Sequence, residues 1–204
     1  RCCRSAIADG FERLIVLGAG FDTLGMRLCE EFPQLAVIEI DHPATQAAKR
    51  RTLTHASASL PANLELVPLD LDGAPLPEAV RADHRPTFVI AEGLLMYLPP
   101  TEVEHLLDAL HGLSVERLRI VFSYIAQWPD GSMGFRPQSR LIQRWLTWRG
   151  EPFKWAIEPR LVSEFLTSHG FRLVDTALTK DFSEPSAPGR TLLTGENLVV
   201  CEPA

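Results

Sequence analysis

The chain has 204 residues, 46% of them apolar and 23% charged, a size and balance that fit one packed domain with a sizeable core. Its formal net charge of −6 and lack of any basic block argue against nucleic acid as a partner, since phosphate contacts need clustered Lys and Arg. No apolar run approaches the roughly 18 residues of a membrane span, and residues 1–20 lack the layout of a secretory signal, so a cytoplasmic protein with no membrane partner is expected.

The sequence opens at Arg1, without Met and within a helical stretch over 2–9 that Gly10 closes as a C-cap; further sequence upstream is the expectation. An apolar strand, Leu14-Ile15-Val16-Leu17, then runs straight into Gly18-Ala19-Gly20-Phe21-Asp22-Thr23. Gly18 and Gly20 lack the Cβ atoms that would keep a ligand off the backbone, and they allow the positive φ that a sharp strand-to-helix turn uses. A dinucleotide fingerprint would need a third glycine where Thr23 stands, and Asp22 puts negative charge where a pyrophosphate would lie. The turn instead suits a nucleotide-like ligand with a cationic end. S-adenosylmethionine, with its sulfonium and ammonium groups, is such a ligand.

Beyond the turn the pattern predicts a helix over 24–31, a strand over 35–40 ending in Asp41-His42-Pro43, and a helix opened by Pro43 that carries Gln46 and Lys49. A third strand over 64–69 ends in Asp70-Leu71-Asp72-Gly73, and a fourth over 87–91 runs into Glu92-Gly93-Leu94-Leu95-Met96-Tyr97. Thr101 and Glu104 read as a capping box for a helix with Val103, Leu106, Leu107 and Leu110 on one face and Gly112 as its stop. A fifth strand covers 119–125.

Residues 126–158 differ in character, holding all four tryptophans, Trp128, Trp145, Trp148 and Trp155, together with Arg136, Arg140, Arg144 and Arg149. They read either as an insertion that covers the acceptor with aromatic walls or as a satellite core. On a helix predicted over 138–148, Arg140 and Arg144 share a face, suited to an acidic acceptor or to solvent. The chain closes with an amphipathic helix over 160–169 stopped by Gly170, a strand over 171–178, a Pro/Gly/Ser-rich loop over 180–195 and a strand over 197–201. The last two strands read as an antiparallel hairpin at a sheet edge. Cys2, Cys3, Cys29 and Cys201 show neither a C-x-x-C pair nor zinc spacing and read as reduced thiols; no metal is implied.

Strands alternating with helices predict an α/β, doubly wound, mostly parallel sheet that binds ligands at the carboxyl ends of its strands. Those ends carry Asp22, Asp41, Asp70 and Glu92, each just after an apolar strand. A single acid there is often a helix cap, but four in succession point to a site. Asp41 is placed to accept the two hydroxyls of a ribose, Asp70 and Leu71 to flank an adenine, and Glu92 to stand nearest the switch point of the sheet. Asp72 reads as turn chemistry before Gly73.

These pieces, Leu17 to Thr23, Glu39-Ile40-Asp41-His42-Pro43, Asp70-Leu71, and Ala91-Glu92-Gly93-Leu94-Leu95-Met96-Tyr97-Leu98, resemble in order and spacing the leucine carboxyl methyltransferase-like family, including its bacterial members of unknown substrate. The resemblance implies a Rossmann-like, seven-stranded sheet of the class I methyltransferase type and S-adenosylmethionine as cofactor. It also implies that Gly18, with Ala19, Gly20 and Asp22 around it, meets the methionine end, Asp41 the ribose, Asp70 and Leu71 the adenine, and that Glu92 closes the site. An arginine upstream of the glycine turn holds the methionine carboxylate in that family; here Arg1 and Arg4 are the arginines of the N-terminal helical stretch.

Methyl transfer to oxygen needs alignment more than it needs a base, and a carboxylate needs no base at all. His42, Tyr97 and Tyr124 are the candidate catalytic groups near strand ends. The resulting expectation is a single-domain O-methyltransferase acting on a carboxyl or hydroxyl oxygen of a small molecule or a peptide C-terminus. A non-catalytic S-adenosylmethionine binder or scaffold is the alternative, and an NAD-type oxidoreductase a weaker one.

Overall fold

A computed structural model describes residues 2–56, 59–136, 152–178 and 194–204 of the chain. The elements run α1 (Cys2–Ala8), β1 (Arg13–Leu17), α2 (Leu24–Glu31), β2 (Ala36–Asp41), α3 (Pro43–His55), β3 (Leu64–Pro68), α4 (Glu78–Arg81), β4 (Thr87–Ala91), a 3-10 turn (Leu95–Tyr97), α5 (Pro100–His111) and β5 (Leu118–Ile125). A 3-10 turn (Pro159–Leu161), α6 (Val162–Ser168), β6 (Phe171–Leu178) and β7 (Glu196–Pro203) follow. The predicted helix over 138–148, with Arg140, Arg144, Trp145 and Trp148, and most of the loop over 180–195 lie outside the described residues.

All seven strands form one sheet in the order β3-β2-β1-β4-β5-β7-β6. The first five pair in parallel, while β7 enters between β5 and β6 and runs antiparallel to both. Chain order reverses between β1 and β4, so the loops that leave those two strands part there and open a crevice at the carboxyl rim.

Strands buried on both faces are mostly apolar, and β1 and β4, buried at every position, are apolar apart from Arg13 and Thr87 at their starts. Alternation sorts their side chains between two cores. Ile15, Leu17, Ile40, Val89 and Phe122 face one core with Val103, Leu106, Leu107 and Leu110 of α5 and Leu166 of α6. Leu14, Val16, Val37, Leu66, Phe88 and Val121 face the other with Ala6 of α1 and Leu28 and Cys29 of α2. Trp155 joins the first core and packs on Phe165 at 5.6 Å, so this tryptophan is a packing residue. Burial pushes the Cys29 thiol up to about 11 and the Cys201 thiol up to about 12, which holds both in the unreactive protonated form.

One expected feature is corrected. The capping box of Thr101 and Glu104 does not form: α5 starts at Pro100 with Pro99 as N-cap and no side-chain cap bond. A proline at the first helical position needs no N–H partner, and its fixed φ starts the helix two residues earlier than the box would. The short helix α4 was not anticipated, since four residues carry no readable period.

Arg13, fully buried at the start of β1, donates from Nε to Thr87 Oγ1 at 2.9 Å and from Nη1 to the Val80 carbonyl at 3.0 Å, and lies 3.4 Å from Asp83. Hydrogen bonds from Arg85, with Arg13 nearby, hold the Asp83 carboxyl at about 2, below its ordinary 3.8. A lowered folded value means stability that is present above the unfolded value and lost as pH falls through the folded one. We therefore expect Asp83→Asn to destabilise the fold by about 1–2 kcal/mol at pH 7, after allowing for solvent screening, and to match the unsubstituted chain near pH 2. Urea titrations at the two pH values test this, and a deficit that persists at the lower pH would count against it.

Candidate active site

The site is assembled on the carboxyl rim around the turn that leaves β1. Gly18 and Gly20 both hold positive φ, 66° and 52°. A Cβ on Gly18 would meet Leu94 atoms at 3.0 to 3.4 Å, so the turn from β1 and the loop from β4 touch across the crevice there. Around Gly20 there is nothing within 4 Å of such a Cβ, which leaves the backbone open to a ligand.

Asp41, at the end of β2, stands at the centre of this rim. Its Oδ2 accepts from the Gly20 N–H at 2.5 Å, its Oδ1 from the His42 N–H at 2.6 Å, and its carbonyl from Leu69 N at 2.8 Å. An ionised carboxylate offers about four lone-pair sites, so two remain beyond these backbone donors. Two vicinal hydroxyls are donors that such an acceptor fits, and the open glycine backbone beside it leaves room for them.

His42 caps α3, its Nδ1 accepting from Ala44 N at 3.2 Å, which assigns the ring proton to Nε2. That Nε2 lies 3.9 Å from Asp70 Oδ2. The exposed Asp70 also accepts from Asp72 N at 3.1 Å, and Asp72 lies, as expected, in the turn before Gly73, which holds φ 93°. Leu71 packs against the α5 core, and Glu102 of α5 accepts from Gly73 N at 3.1 Å, fixing the β3 loop to the helix.

Gly20, Asp41, His42 and Asp70 are thus joined in one run of contacts, and Gly18 stands two residues before Gly20 on the same turn, bonded to the Ile40 carbonyl. Asp22 is exposed, accepts from Leu24 N at 3.0 Å at the entry to α2 and lies 3.9 Å from Arg27. Glu92 is exposed just past β4, where Gly93, at φ 64°, donates its N–H to Ser123 Oγ at 2.8 Å. Tyr97 is half-buried against Phe153, rings 5.8 Å apart, and Phe135 meets Phe153 at 6.0 Å. The Met96 carbonyl accepts from Lys154 N at 2.8 Å, so residues 153–155 return across the 3-10 turn. Trp128 donates from Nε1 to the Gly134 carbonyl at 2.9 Å and has the Arg136 guanidinium over its ring.

Tyr124 is not brought to the open rim. It is 1% exposed within the α5-side core and hydrogen-bonded to Asn197, and burial raises its phenol above the ordinary value. Arg4, one of the two N-terminal arginines, is bound in an exposed pair with Glu31 of α2 at 2.7 Å.

Sequence reasoning passed over what lies beneath the turn. Glu39 of β2 and Lys49 of α3 are 1% and 3% exposed and pair at 2.5 Å, and Lys49 Nζ also donates to the Asp22 carbonyl at 2.6 Å. Gln46, one helical turn earlier, is buried beside them and donates from Nε2 to the Glu39 carbonyl at 3.1 Å. The readable signal was Glu39 itself, a charge inside an apolar strand, which must be paired if the strand is covered on both faces.

Comparison with known proteins agrees with this fold. The chain aligns along its whole length with magnesium protoporphyrin IX methyltransferase from Synechocystis PCC 6803, solved with bound SAH, covering 80% of that chain at a TM-score of 0.61 and 15% identity. An O-methyltransferase family protein from Burkholderia thailandensis matches 96% of this chain and 52% of its own at 0.61 and 14%. At such identities the likeness establishes the fold, which is that of the class I methyltransferases.

The sequence profile of leucine carboxyl methyltransferase matches residues 1–111, just over half of the chain. The chain belongs to the leucine carboxyl methyltransferase family. It is 36% identical over 129 residues to a Mycolicibacterium gilvum protein named "Putative S-adenosyl-L-methionine-dependent methyltransferase", and 32% identical over 199 residues to a Mycobacterium bovis BCG protein of the same name. These alignments take in 61% and 90% of this chain but 41% and 63% of the relatives, so the chain spans about half the length of the curated relatives it matches.

Proposed function

We propose that this chain binds S-adenosylmethionine at the carboxyl rim and belongs to an O-methyltransferase whose acceptor is a carboxyl oxygen, or second a hydroxyl oxygen, of a small molecule or peptide C-terminus. The observation that carries the reading is Asp41: one carboxylate that ties the glycine turn to β2 and keeps two acceptor positions at an open backbone. Gly18, Ala19 and Gly20 would admit the methionine end against the backbone, with Asp22 adding negative charge nearby. Asp41 would hold the ribose, Asp70 and Leu71 the adenine, and Glu92 the far side of the crevice.

S-adenosylmethionine, when bound, supplies an electrophilic methyl group on a sulfonium. What the chain must do is exclude water and hold an acceptor oxygen in line, within roughly 3 to 3.5 Å of the methyl carbon. Its polar groups favour an acceptor that arrives ionised. The His42 Nδ1 lone pair is engaged in the helix cap, and the Tyr124 phenol is buried, bonded and held protonated. Tyr97, with Phe135 and Phe153, would give the acceptor an aromatic wall, the role we propose for residues 126–158.

Calorimetry with S-adenosylhomocysteine and NADH tests the reading. Tighter binding of the former supports it, and tighter binding of NADH would overturn it. Asp41→Ala is expected to weaken S-adenosylhomocysteine by about 1 to 3 kcal/mol, the loss of hydrogen bonds to a charged acceptor. An unchanged affinity would make Asp41 a turn anchor alone. Methyl release from the full-length polypeptide over a panel of carboxylate and hydroxyl acceptors separates the two oxygen chemistries, and binding without turnover across it would mark a non-catalytic binder.

A further inference from the structure

Three of the hydrogen bonds that hold the turn leaving β1 run to β2 and α3 at 2.8 Å or less. Gly18 N donates to the Ile40 carbonyl at 2.8 Å, Gly20 N to Asp41 Oδ2 at 2.5 Å, and the Asp22 carbonyl accepts from Lys49 Nζ at 2.6 Å. The first two pull the turn toward β2 through its N–H groups. The third is of opposite polarity and acts two residues further on.

Lys49 reaches this carbonyl from within the protein, where an ammonium without a partner would be strongly disfavoured. Glu39 removes that penalty by pairing with it at 2.5 Å, and Gln46 closes the pocket by bonding the Glu39 carbonyl. The fit is close on the remaining side as well. A Cβ on Gly25 in the first turn of α2 would lie 2.4 Å from Glu39 Oε1, so α2 can sit on this pair only because residue 25 is glycine. A buried carboxylate, a buried ammonium and a side-chain-free helical position therefore converge on one backbone carbonyl at the far end of the glycine turn.

We propose that Lys49 is a positioning residue for the cofactor, setting through the Asp22 carbonyl the height of the glycine turn over Asp41. The inference rests on the reading of the rim as the S-adenosylmethionine site. Lys49 touches no ligand itself. Without it the Asp22–Thr23 peptide loses its only buried anchor among the described residues, and the far half of the turn keeps the Gly20 N bond to Asp41 and the Asp22 N bond to the Ala19 carbonyl. The ribose acceptor and the methionine end of the site lose their fixed separation, and a misplacement of an ångström is enough to matter at such a site.

The test separates affinity from stability. S-adenosylhomocysteine is the probe, because its neutral sulfur leaves no sulfonium charge for Lys49 to act on directly. We expect Lys49→Met to weaken it by roughly tenfold or more, the loss of one hydrogen bond from a charged donor. The double variant Glu39→Gln/Lys49→Met removes both charges, so it should recover most of the urea stability lost by Lys49→Met while keeping its weak binding. Val103→Ala, in the opposite core, should lose stability yet bind within twofold of the unsubstituted chain.

If Lys49→Met does not fold, the double variant carries the comparison. A double variant that binds as tightly as the unsubstituted chain overturns the inference, as does Val103→Ala losing affinity in step with stability. No binding by the unsubstituted chain overturns instead the reading of the site.

Discussion

Urea titration of Lys49→Met is expected to show a loss of about 3–5 kcal/mol, because the change strands the Glu39 carboxylate inside the protein. Glu39 is 1% exposed, and its only charged partner within 4 Å among the described residues is Lys49. Burial raises the Glu39 carboxyl above its ordinary 4.5, and the hydrogen bond and charge of Lys49 oppose that rise. Removing Lys49 takes the opposing contributions away, so the folded value climbs further.

The pH dependence then has a definite sign. A folded value above the unfolded one favours the fold at low pH, and that advantage is lost as pH rises from the unfolded value through the folded one. The deficit of Lys49→Met should be widest at neutral pH and narrow as the pH falls toward the ordinary carboxyl value of 4.5. A deficit independent of pH, or one below about 1 kcal/mol, would mean that water reaches Glu39 in the variant and that the pair is not sealed.

The second large effect falls on ligand binding. Gly18→Val should reduce S-adenosylhomocysteine affinity by more than a hundredfold, about 2.7 kcal/mol. Two causes add. Residue 18 sits at φ 66°, a region that costs a side-chain-bearing residue about 1–2 kcal/mol and a β-branched one more. The new Cβ also meets Leu94 at 3.0 to 3.4 Å, which closes the crevice between the β1 turn and the β4 loop from within.

Gly20→Ala is the natural comparison. Its φ of 52° carries the same backbone strain, but its Cβ would have nothing within 4 Å. Stability should fall by about 1 kcal/mol, and any further loss of affinity then reports contact with ligand rather than with Leu94. Gly18→Val binding within a few-fold of the unsubstituted chain would contradict a site built on close backbone approach.

Most of the fold was legible because its signals are local and periodic. The apolar runs of β1 and β4, the i, i+3, i+4, i+7 face of α5 and Pro43 at the head of α3 each name an element without outside help. The sequence did not reveal that β7 inserts between β5 and β6, because strand order at an edge is decided by packing across the sheet. Thr101 and Glu104 misled for a related reason: a capping box and a proline start compete over adjacent residues, and the motif alone does not rank them.

The rim was legible from four acids in rhythm with four strands, yet the fold uses them unequally. Asp41 ties two loops together, Asp70 shapes a turn, Asp22 enters a helix start, and Glu92 stands exposed. Neither Lys49 nor its pairing with Glu39 could be read in advance. They are ten positions apart on a helix and a strand, and only the packing of α3 on β2 makes them neighbours.

A structure of this chain with S-adenosylhomocysteine tests the central claim most directly. The account predicts both ribose hydroxyls donating to the Asp41 carboxylate, at about 2.5 to 3.0 Å, while Gly20 N keeps its bond to the same group. A nucleoside found elsewhere, or hydroxyls turned to solvent with Asp41 bound only to backbone, would contradict it.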